Sequence, residues 1–123
     1  MNRRWKQLQS LAQSEVEALL AVLPETLRVQ ARPLPVSYEA RPAEHLLDDG
    51  YDPEILGLFV GAPLAHPEES PLPPQIILYL DNLWDFSEEH EDIFRDEVRT
   101  TYLHELGHYL GLGELDLEER GLE

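Results

Sequence analysis

The sequence predicts an α+β fold: an N-terminal helix, a small twisted sheet of about three strands, and a long C-terminal helix, both helices lying on one face of the sheet. Three observations predict it. Leu8, Leu11, Ala12, Val16, Leu19, Leu20 and Leu23 are spaced as the apolar stripe of an amphipathic helix. Short apolar runs around residues 34–38, 54–60 and 75–80 have the length of strands, not helices. From 88 to 110 only Gly107 interrupts a helical pattern in which Ile93, Phe94, Val98, Tyr102, Leu106 and Leu110 supply a core-facing set.

Each element has its own local signals. Pro24 ends the first helix, and two capping boxes, Ser10 with Gln13 and Ser14 with Glu17, mark alternative starts that leave residues 1–9 as a candidate flexible arm. Leu34, Val36 and Tyr38 alternate with Pro35 and Ser37, which suits an edge strand that tolerates proline. Residues 40–53 read as loop or a short helical turn, and His45 within them as a surface histidine. Gly57 inside the next strand marks a bulge or a close backbone approach. Residues 61–74 hold five prolines, which exclude regular structure and stiffen a loop that either rims a site or only connects; His66 there is again a surface residue. Residues 75–80, the most apolar run, make the central strand, and 81–86 turn the chain. Ser87 before Glu88 and Glu89 reads as an N-cap with acids in the first turn. Along that helix Glu91 with Arg95 and Asp96 with Arg99 form solvent-side pairs, and Gly107 implies tight packing against the sheet.

Composition bounds the function. A chain of 123 residues supports one domain, 1–123, and with no cysteine any metal ligands must be His, Asp or Glu. A net charge of -16 repels a phosphate backbone, so nucleic acid is not an expected partner. No stretch approaches about eighteen consecutive apolar residues and the start is polar, so neither a membrane segment nor an export signal is expected and the localisation reads as cytoplasmic.

The chemistry concentrates in His104-Glu105-Leu106-Gly107-His108. On a helix, imidazoles four residues apart stand one above the other and reach one metal ion, the H-E-x-x-H outline of a zinc site. A catalytic zinc needs a third protein ligand and leaves one position open. Gly111 can end the helix in a left-handed conformation, and Glu114 beyond it, or alternatively Asp116, can turn a carboxylate back towards the histidines. Glu105 is then free to act as general base towards water. Two imidazoles and a carboxylate also suit iron, cobalt or manganese.

The run from His104 to Glu114 resembles the small bacterial zincin-like metallopeptidases, whose motif reads HExGHxxGxxD. Leu56-Gly57-Leu58-Phe59-Val60-Gly61 is similar to that family's LGLYxG strand, and residues 72–79 to its lP-x-x-I-x-l-Y strand. The resemblance runs from about Ser14 onward. It implies a reduced zincin architecture, one zinc per chain on His104, His108 and Glu114, and hydrolysis of a peptide or protein substrate. Glu114 departs from the usual Asp, which keeps Asp116 in play. With no methionine besides Met1 the Met-turn of the metzincins is missing. The edge at Leu56, Gly57, Leu58, Phe59 and Val60 is the candidate substrate-binding strand, by strand addition. Tyr102 and Tyr109 are weighed as oxyanion stabilisers against a core role. Two other readings stand beside peptide hydrolysis: a metal-stabilised protein-binding module without activity, and a metal-dependent endoribonuclease, which Glu105 and the acidity disfavour.

Overall fold

In the computed structural model, which describes residues 3–112, the N-terminal apolar stripe forms helix α1 (Arg3–Val22), with Leu8, Ala12, Val16 and Leu20 buried. Residues 3–9 are part of this helix instead of a flexible arm, because the stripe already starts at Leu8, two residues before the first capping serine. Pro24 breaks the helix and starts another: its carbonyl accepts from the Leu27 and Arg28 N–H groups at 3.0 and 2.9 Å, opening α2 (Glu25–Ala31), which the sequence reading passed over. Then come β1 (Val36–Glu39), the short α3 (Glu44–Asp48), β2 (Gly57–Val60), β3 (Gln75–Tyr79), α4 (Leu80–Phe86) and α5 (Glu91–Leu110). Between β2 and β3 a single 3-10 turn (Pro67–Glu69) lies inside the loop whose prolines are expected to exclude regular structure, since proline suits a first helical position.

β3 is the central strand of three, in the order β1-β3-β2. β1 runs parallel to it with Val36 opposite Ile76, and β2 antiparallel with Leu58 opposite Ile77. Alternation along the strands sends Val36, Tyr38, Phe59, Ile76 and Leu78 to one face, where they join Leu8, Ala12, Val16 and Leu20 of α1 and Phe94, Val98, Tyr102 and Leu106 of α5. Both long helices therefore cover the same side of the sheet, as the pattern implies. Gly57 is the point of closest approach: a Cβ there would lie 2.6 Å from Thr101 Cγ2 on α5.

Several local expectations change. Residues 81–86 do not simply turn the chain; they belong to α4, which follows β3 without a break because Leu80 and Leu83, three apart, both have a core site to fill. Ser87 does not cap the next helix, since its hydroxyl donates backwards to the Leu83 carbonyl at 2.7 Å. Glu88 and Glu89 take left-handed conformations (φ 55° and 60°), and α5 opens two residues later behind His90. Ile93 is correspondingly rotated out to solvent. Of the two expected solvent-side pairs, Arg99 does pair with Asp96, whereas Arg95 turns to α1 instead of Glu91. Both Arg95 and Arg99 reach Glu15 on α1, at 3.3 and 3.8 Å, and Glu15 is only 8 % exposed. That shared carboxylate ties the two long helices together outside the apolar contact.

Candidate metal centre

Helix α5 delivers the histidines. With 100° per residue, positions 104 and 108 share a face while 102 and 106 turn inward, and the burial follows: Tyr102 and Leu106 are in the core, His104 and His108 are exposed. The two rings meet with centroids 4.9 Å apart and planes at 73°, and Nε2 of one stands 3.3 Å from Nε2 of the other. Tetrahedral ligands about 2.05 Å from a zinc ion stand about 3.3 Å from each other, so the spacing of this nitrogen pair is that of two zinc ligands. The residues present fit the metal in type and in separation. Glu105, half-buried beside them, completes a group whose potential ligand atoms all fall within 4.8 Å of one another.

Gly111 ends the helix in the left-handed conformation expected of it (φ 73°, ψ 27°), and the N–H groups of Gly111 and Leu112 both close on the Gly107 carbonyl. Glu114 and Asp116, the two candidate third donors, lie outside the described residues. A match to the family model of zincin-like metallopeptidases covers residues 31–122. The chain belongs to that family. No curated protein matches it. Membership as a zincin-like metallopeptidase agrees with the helix-borne His-Glu-His group, which could hold a metal ion, and with the α+β scaffold, and the family implies zinc-dependent hydrolysis.

The other residues considered divide clearly. His45 and His66 are exposed and stand apart from the histidine pair; His66 faces Glu68 at 3.5 Å. Tyr102 is fully buried on the opposite side of α5, and burial, the chief cause, with Tyr38 and Glu17 nearby, pushes its phenol up to about 12, so it is a core residue. Tyr109 remains half-buried with its ring against Phe59. In β2 the register separates the residues of the candidate substrate strand. The Tyr79 N–H donates to the Leu56 carbonyl at 3.0 Å, so 56–79 is a hydrogen-bonded pair, and by alternation so are 58–77 and 60–75. The main-chain groups of Gly57 and Phe59 therefore point away from β3, to the edge that carries no further strand among the described residues. Sequence reading marks the strand but not which of its residues face outward, because that depends on pairing with residues some twenty positions away.

No helix of the described residues is long and apolar enough to cross a membrane.

Proposed function

We propose that this chain hydrolyses peptide bonds, with one zinc ion per chain held by His104, His108 and Glu114, Asp116 being the alternative third donor, and with Glu105 as general base. The observation that carries the reading is the 3.3 Å separation of the two Nε2 atoms with Glu105 alongside. Zinc, when bound, supplies a Lewis acid that brings the pKa of a water towards about 7 and polarises a carbonyl oxygen. Glu105 takes the proton of the attacking water and gives it to the leaving amine, so one carboxylate serves both halves of the reaction. The edge of β2 orients an extended peptide, with the N–H and C=O of Gly57 and Phe59 as the partners that the register leaves available. An acidic surface, 25 acidic against 9 basic residues, favours substrates that are not themselves strongly acidic.

The test separates binding from chemistry. Glu105→Gln should keep its zinc and lose about a hundredfold or more in cleavage of an unfolded protein substrate, since only the base is removed. A variant that keeps both zinc and full activity would contradict the role of Glu105. Cleavage of structured RNA with no cleavage of peptides would replace the substrate class.

A further inference from the structure

Two contacts from outside the metal-binding pattern converge on the last turn of α5, the turn that carries His108, beside the motif's own glycine cap. The Leu64 N–H donates to the Tyr109 carbonyl at 2.8 Å. The Tyr109 ring lies against Phe59 of β2, with centroids 5.7 Å apart. Gly111 and Leu112 close the helix on the Gly107 carbonyl. The carbonyls of the last four helical residues have no partner within the helix, so a final turn frays unless something outside it supplies donors. Here the outside donor comes from a loop that is itself held stiff. Five prolines lie within residues 61–74. The neck of the loop is shut: at Gly61, φ +104°, there is no room for a Cβ, which would stand 2.7 Å from Pro74 Cα. Ala62, two residues before the donor, is buried.

We propose that the proline-rich loop 61–74 is a clamp on the metal-bearing turn, and that Leu64, through its main-chain N–H, is a positioning residue that keeps His108 in register with His104. The inference rests on the zinc reading of these two histidines. Their Nε2 atoms hold a separation of 3.3 Å only while residues 104–108 stay in one helical turn, and His108 is two residues from the end of the helix at Leu110. A turn that is ordered only part of the time weakens metal binding by the fraction of time it is ordered. The Leu64 side chain, 39 % exposed, is not needed for this; its N–H is.

Zinc affinity, measured by competition with a chromophoric chelator at a temperature where circular dichroism shows a full complement of helix, reads the clamp directly. Leu64→Pro deletes the donor, and is expected to weaken zinc binding about tenfold, the lower end of what supporting contacts around a metal contribute. Leu64→Ala, which retains the N–H, should restore affinity to within about twofold of the parent. Equal affinity in Leu64→Pro and the parent overturns the clamp, and so does an equal loss in Leu64→Ala. Should Leu64→Pro fail to fold, replacing residues 61–74 by Asn-Gly gives a second route, since Val60 and Gln75 are directly opposed and a two-residue turn can join them. A folded loop-less protein with about tenfold weaker zinc binding upholds the clamp, and one with parental affinity overturns it. A parent that takes up no zinc at all overturns the zinc reading instead, whatever the variants do.

Discussion

A Cβ at position 57 would stand 2.6 Å from Thr101 Cγ2, 3.2 Å from the Ile77 carbonyl oxygen and 3.3 Å from Leu78 Cδ2, so this glycine is what lets β2 lie directly on α5, the helix of the histidine pair. Gly57→Ala should cost about 1–3 kcal/mol, as overpacking does, and Thr101→Ser in the same chain should recover part of that by removing the opposing methyl. Chemical denaturation of the two single variants and the double variant measures the coupling; strictly additive losses would show that the two groups do not meet. Local pattern makes some of this legible in the sequence. H-E-x-x-H declares itself because its geometry is that of one helical turn, and Gly57 stands out as a glycine in an apolar run. Tyr102 is legible too, since its helical spacing from Phe94, Val98 and Leu106 puts it in the core-facing set although it stands two residues from His104, and it is fully buried.

At the scale of elements, α5 is held at both ends of the site, by Glu15 with Arg95 and Arg99 on one side and by the Gly111 cap on the other. A Cβ at Gly111 would meet nothing within 4 Å among the described residues, so Gly111→Ala chiefly tests backbone conformation. It should destabilise by about 1–2 kcal/mol through the left-handed φ, and Gly111→Asn by less, in denaturant titrations. Equal stability of glycine and alanine at this position would mean that the cap does not hold the turn. The long elements were legible because an apolar stripe repeats over several turns. α4 was not, because seven residues directly after a strand give too short a period to tell from a turn, and Ser87 misleads because its hydroxyl can serve the helix behind it as well as one ahead. The register of β2 and the tie between Leu64 and Tyr109 join residues distant in the chain and leave no local trace.

Across the whole molecule, three phenols are set into the fold at a cost that alkali reveals. Burial, assisted by nearby carboxylates, pushes Tyr38, Tyr79 and Tyr102 from 10.0 up to about 12. The unfolded chain then releases protons at a pH where the folded chain still holds them, so this contribution to stability is complete below pH 10 and is lost as pH rises to about 12. The melting temperature should fall steeply across that window, and a Tyr79→Phe, Tyr102→Phe variant should fall less. Because both hydroxyls are buried without a hydrogen-bond partner among the described residues, that variant should also be as stable as the parent at neutral pH or up to about 1 kcal/mol more stable. Phenolate absorbance that develops fully near pH 10 in the folded protein would contradict the burial. The exposed histidine pair on a well-packed helix carries the central proposal, that His104 and His108 hold a metal ion. Native mass spectrometry of the protein saturated with zinc and freed of excess tests it most directly. One zinc per chain, lost in His104→Ala, is the expected result, and a parent that retains none would contradict the account.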